Sequence, residues 1–271
     1  MGVCGGAVLV AAVVLAAGCS DPDSDRDADD ARTSPTPAAA VPDATAALRD
    51  RCLSAIPEDA PLAAVALTGR SGGDIEAARI GPEANDRVAV LLPQTSGLCG
   101  WGRWATAAAE EAGLTSLLVS PCGNGESVCT TEEDTDPLNE VSAAVELARD
   151  EYGADRVVLL GTSMGGSLTV MAAAAGADVE AWADVSGPSA WEGVELATLA
   201  GSLPDDGLVV MAPSDGQDAY DAAEALAEAA GVPFVAGRSG HGWELLVDPV
   251  TGSVTRIGRR LVDLAQGPSG T

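Results

Sequence analysis

Arg156-Val-Val-Leu-Leu-Gly-Thr-Ser-Met-Gly-Gly-Ser-Leu-Thr-Val-Met-Ala172 reads as a buried strand, a sharp turn and then a helix. The run Val157 to Leu160 is continuously apolar, as befits a parallel strand covered on both faces. Gly161 and Gly165 leave room for a strained turn and for close helix packing, and they push Ser163 out at the carboxyl end of the strand. Met164 then opens a helix, where its backbone N–H and the helix dipole favour negative charge. Ser163 is therefore the candidate nucleophile. Gly-x-Ser-x-Gly alone is weak in a chain with 32 glycines, and Gly69-Arg70-Ser71-Gly72-Gly73 matches it too. That second copy runs into the strand-like Asp74–Ile80 instead of a helix, so it reads as a hairpin turn.

Outward from this stretch, Val- and Leu-rich runs alternate with Ala- and Glu-rich runs of helical length. The pattern predicts strands at Ala63–Leu67, Asp74–Ile80, Val88–Leu92, Ser116–Ser120, Arg156–Leu160, Glu180–Val185, Leu208–Met211 and Val232–Ala236. It predicts helices at Trp101–Ala112, Pro137–Tyr152, Met164–Ala174, Tyr220–Ala230 and Val254–Ala265. A leading hairpin followed by such alternation implies an α/β architecture, a mostly parallel sheet with helices on both faces. Between Val185 and Leu208 there is no room for a large lid. Aromatics make up only 3% of the chain, so the core is built from small aliphatic side chains.

A serine nucleophile needs a base, and the chain has one histidine, His241, between Gly240 and Gly242 after the last expected strand. An acid that orients it belongs after the preceding strand, where Asp215 lies nearest the strand end. Asp218 is the alternative, although it also suits a cap for the following helix. The loop after Val88–Leu92, Pro93-Gln94-Thr95-Ser96-Gly97-Leu98-Cys99-Gly100-Trp101, offers the N–H of Gln94 or Thr95 as a second oxyanion donor beside that of Met164.

Several of these segments together resemble the bacterial exported α/β-hydrolases, distant relatives of the dienelactone-hydrolase-like group. The likeness rests on Cys99-Gly100-Trp101, Pro121-Cys122-Gly123-Asn124-Gly125-Glu126-Ser127, Ser163-Met164-Gly165-Gly166 and His241-Gly242, and spans about residues 87 to 246. It implies the α/β-hydrolase fold, whose triad order is that of Ser163, Asp215 and His241. Where the group's oxyanion loop commonly begins with His, this chain has Pro93. Serine in place of cysteine as nucleophile speaks against dienelactone-type chemistry. The resemblance implies a Ser-His-Asp serine hydrolase acting on a small acyl ester, without cofactor. The competing expectation is a non-catalytic binding lipoprotein on the same fold.

Charge and cysteines bound the setting. The 41 acidic residues outnumber 14 basic ones, all of them Arg, for a net charge of −27. Phosphate is repelled, which excludes a nucleic-acid partner, and the absence of lysine excludes Schiff-base chemistry. The apolar run Ala7–Ala17 stops at Gly18-Cys19 and turns abruptly acidic, resembling a bacterial lipoprotein signal peptide. The expectation is a leader over residues 1–18, a diacylglyceryl anchor on Cys19 at the bacterial cell envelope, and an acidic disordered tether over 19–46. The hydrolase domain is then expected over 47–271. Cys52, Cys99, Cys122 and Cys129 remain for two disulfides. The short loop from Cys122 to Cys129 closes easily around its glycines, leaving Cys52 for Cys99. No CxxC occurs, and no metal site is expected.

Overall fold

Branched aliphatic runs form the strands and Ala-rich runs the helices, in a computed structural model that describes residues 41–130 and 136–268. In chain order the elements are α1 (Val41–Cys52), β1 (Leu62–Thr68), β2 (Asp74–Ile80), β3 (Arg87–Leu92), α2 (Gly102–Ala112), β4 (Thr115–Val119) and α3 (Asn139–Asp150). They continue with β5 (Arg156–Thr162), α4 (Met164–Ala174), β6 (Ala181–Val185), β7 (Ala190–Trp191), β8 (Val194–Glu195), β9 (Gly207–Met211), α5 (Gln217–Ala230), β10 (Phe234–Ala236) and α6 (Arg256–Gln266). Eight strands form one sheet in the order β1-β2-β4-β3-β5-β6-β9-β10. β2 runs antiparallel to both β1 and β4, and every other pairing is parallel, as the alternation predicts.

The two-residue period of the strands divides the core. Leu91 of β3 and Val158 and Leu160 of β5 point to one face, beneath Trp104 of α2 and Leu261 of α6. Val88, Val90 and Leu92 of β3 and Val157 and Leu159 of β5 point to the other, against Val141 and Ala144 of α3. On that second side Trp182 and Val209 pack against Val170 of α4 and Leu226 of α5. The indole N–H groups of this aromatic-poor core are satisfied: Trp104 donates to Gly258 O and Trp101 to Leu92 O, each at 2.9 Å.

The hairpin reading of the second Gly-x-Ser-x-Gly holds. Gly69 N–H donates to Gly73 O at 2.9 Å and Ser71 N–H to Asn139 Oδ1 at 2.9 Å, so Ser71 belongs to the β1–β2 turn. Between β6 and β9 the chain makes only the β7–β8 hairpin and a 3-10 segment over Leu196–Ser202, with no large lid. Both expected disulfides are present, Cys52–Cys99 and Cys122–Cys129, with Cα separations of 5.3 and 5.5 Å.

The expected leader, Cys19 and the tether as far as residue 40 lie outside the described residues. The tether's expected end at residue 46 is corrected, because α1 already begins at Val41. Pro42 falls in its first turn, where a missing N–H costs no intrahelical bond, and Asp43 complements the helix dipole. Leu48 and Cys52 are buried and fix the helix to the sheet edge. At the other end of the chain, the strand expected over Val232–Ala236 shortens to Phe234–Ala236. Val232 N–H closes the end of α5 on Ala227 O instead, and Pro233 contributes only its carbonyl, to Val209 N–H.

Candidate active site

The turn that joins β5 to α4 has the strained geometry its glycines foretell. Ser163 sits at φ 51°, ψ −121°, a region costing an L-residue roughly 1–3 kcal/mol. It is held there from several sides. Ser163 N–H donates to Val185 O at 2.8 Å, and Ser163 O accepts from Gly166 and Ser167 N–H. A Cβ on Gly161 would stand 1.9 Å from Gly165 O, and one on Gly165 would stand 2.2 Å from Leu92 O, so neither position admits a side chain. The half-buried Ser163 is thereby fixed at the carboxyl edge of the sheet.

Gly165 N–H donates to Pro93 O at 3.0 Å, which docks the loop after β3 onto the first turn of α4. Met164 N–H, at the head of the helix, donates to no acceptor among the described residues, and neither do the N–H groups of Gln94 and Thr95. The expected oxyanion donor at the helix head and both alternatives for its partner thus keep their hydrogen-bonding capacity unused among the described residues.

Asp215 ends a short 3-10 turn after β9, and His241 lies in the loop after β10. His241 Nδ1 and Asp215 Oδ1 are 2.8 Å apart. The carboxylate is 11% exposed and the imidazole 45% exposed, so the acid is enclosed and the ring faces outward. Asp218, by contrast, is exposed in the first turn of α5. The loop that carries His241 approaches the end of β5 and the loop after β3: a Cβ on Gly242 would lie 2.2 Å from Gln94 Oε1 and 3.4 Å from Thr162 Cβ. No hydrogen bond joins the Ser163 hydroxyl to His241; such bonds commonly tighten only when substrate binds.

Two residues of this region escape sequence reasoning. Ser214 clamps the histidine loop: its Oγ donates to Gly240 O at 2.9 Å and accepts from Gly240 N–H at 3.0 Å. Asp184 on β6 is 1% exposed, and its Oδ1 accepts from Gly187 N–H at 2.8 Å. Burial pushes its carboxyl up to about 7, opposed only by that backbone donor. The signal for Asp184 was an acid in an otherwise apolar strand; for Ser214 there was none. Among the described residues no group of three or more His, Cys, Asp or Glu gathers to hold a metal.

No family model matches the chain, and no curated protein matches it in sequence. Its backbone is nonetheless similar to solved structures. An esterase from Pyrococcus furiosus superposes with TM-score 0.63 at 13% identity, covering 80% of this chain and 94% of that one. A CIB-like hydrolase from Thermoplasma acidophilum gives 0.58 at 18% identity, over 75% and 97% of the two chains. An α/β serine hydrolase without lid from Xanthomonas campestris gives 0.50 at 21% identity, over 67% and 84%. At such identities the likeness speaks for the fold, and strand order, crossovers and elbow agree with it. The chain has the α/β-hydrolase fold.

Proposed function

We propose that the protein is a serine hydrolase of carboxylic esters, anchored at the bacterial cell envelope through a lipid on Cys19. Ser163 attacks the acyl carbonyl, and His241 takes the proton and returns it to the leaving alcohol. Asp215 holds the imidazole tautomer and stabilises the imidazolium. The N–H groups of Met164 and of Gln94 or Thr95 receive the negative charge of the tetrahedral intermediate. Water then attacks the acyl-serine, with His241 again as base, and releases the acid.

The observation that carries this reading is the pairing of His241 with an enclosed Asp215 in a loop whose Gly242 rests on Thr162, the neighbour of Ser163. The fold of the structural neighbours, which include esterases, supports the same reading. Hydrolysis of p-nitrophenyl acetate tests it. Ser163→Ala and His241→Ala are expected to lower kcat by about 10⁴-fold or more with unfolding midpoints little changed. Asp215→Asn is expected to cost up to about 10⁴-fold and Asp218→Asn almost nothing. Wild-type turnover by folded Ser163→Ala would end the proposal.

A further inference from the structure

Beside the elbow lies a small, partly open cavity of about 40 Å³. Its floor is one stripe of α4, since Met164, Leu168 and Met171 stand at i, i+4 and i+7 on the same side of the helix. Trp191 of the β7–β8 hairpin forms one wall, and Pro121 and Cys122 from the loop after β4 form the other. Met164 follows Ser163 directly, so the cavity begins one residue from the proposed nucleophile.

The size of the cavity sets what it can hold. One water-sized group needs about 10–15 Å³ of such space, so about three fit. The methyl of an acetyl group or the propyl tail of a butyryl group matches that room; an octanoyl tail extends beyond it. The wall after β4 is fixed against widening. Cys122 is bridged to Cys129, and Glu76 of β2 accepts from the Ser120 hydroxyl at 2.8 Å and from Glu126 N–H at 3.1 Å. Asp136 and Glu192 also line the cavity; Arg70 lies 3.8 Å from Asp136, and no cation pairs with Glu192 among the described residues. A second carboxylate on the acyl group would meet like charge there.

We propose that this cavity seats the acyl tail and restricts the enzyme to esters of short, uncharged acyl groups of two to four carbons. The inference rests on the serine-hydrolase reading and adds the acyl class to it. Its test is kcat/KM for p-nitrophenyl acetate, butyrate, octanoate and hydrogen succinate, the last being a butyrate-length acyl chain that ends in a carboxylate. Octanoate and hydrogen succinate are each expected to fall at least about tenfold below butyrate. Leu168→Ala should narrow the butyrate-to-octanoate gap several-fold, and Leu168→Phe should depress butyrate relative to acetate. Trp191→Ala, on a surface hairpin, serves as a second widening variant should Leu168 changes unfold the protein, as judged by circular dichroism.

Octanoate hydrolysed as fast as butyrate by the wild type overturns the inference, and so does a chain-length order unmoved by folded widening and filling variants. With activity still lost in Ser163→Ala, either result removes the cavity's role and leaves the hydrolase reading standing. Hydrolysis that persists in Ser163→Ala removes both.

Discussion

Asp184→Asn should make the protein more stable at pH 8 and leave it nearly unchanged at pH 4. The carboxyl of Asp184 is enclosed between α4 and the turn after β6: a Cβ on Gly166 would stand 2.2 Å from its Oδ1, and Gly187 N–H is its hydrogen-bond donor. Burial raises it from 3.8 in the open chain to about 7 in the folded one. Between those values the native state binds the proton that the unfolded state releases, so stability falls as pH rises through this window. The loss is absent below about pH 4 and complete above about pH 7. At about 1.4 kcal/mol per pH unit it amounts to about 4 kcal/mol. Asparagine keeps an oxygen for Gly187 N–H and cannot ionise. Urea unfolding of both proteins from pH 4 to pH 8 should give a stability difference that grows across the window toward about 4 kcal/mol in favour of the variant. A difference that is flat with pH, or that grows in favour of the wild type, would refute the reasoning.

The elbow and the disulfides give further expectations. Gly161→Ala places a methyl 1.9 Å from Gly165 O, a backbone atom that cannot swing aside, and should cost about 3 kcal/mol or more. Thermal unfolding should show this as a midpoint lowered by at least about 6 °C, and a midpoint within a degree of wild type would show that the turn can relax. Cys52–Cys99 closes 47 residues of sequence separation and Cys122–Cys129 only 7, so loss of the first should destabilise by about 4 kcal/mol and loss of the second by about 2. Urea midpoints of the two double-serine variants compare them, and the reverse order would contradict the chain-entropy argument. Ser214→Ala, which frees both polar groups of Gly240, should lower kcat several-fold and stability by about 1 kcal/mol. An unchanged kcat would remove Ser214 from the support of His241.

The sheet was readable from the chain because Val88–Leu92, Val157–Leu160 and Leu208–Met211 are unbroken apolar runs, each followed by an Ala-rich helix. The elbow was readable because Leu160-Gly161-Thr162-Ser163-Met164 changes from strand to helix signals within five residues. The helix α1 was hidden by its composition: Pro42, Asp43, Asp50 and a run of alanines resemble the preceding tether, and only Leu48 and Cys52 mark its buried side. The choice between Asp215 and Asp218 turns on a 3-10 turn that ends at Gly216, whose φ of 102° starts α5 and leaves Asp218 on the helix surface. The clamp by Ser214 and the cavity along α4 depend on residues far apart in the chain meeting in space, which no local pattern records. The β7–β8 hairpin was also unread. Its tip places Glu192 at φ 48° beside Gly193, a turn made by two residues between strands too short to show a period.

A fluorophosphonate reacts with a serine only when a base has activated its hydroxyl and an oxyanion site receives the phosphoryl oxygen. Intact-mass measurement after incubation should show one adduct on the wild-type chain, carried by the peptide containing Ser163 and abolished in His241→Ala. A folded wild-type protein that takes up no phosphonate, or takes it up equally without His241, would contradict the account.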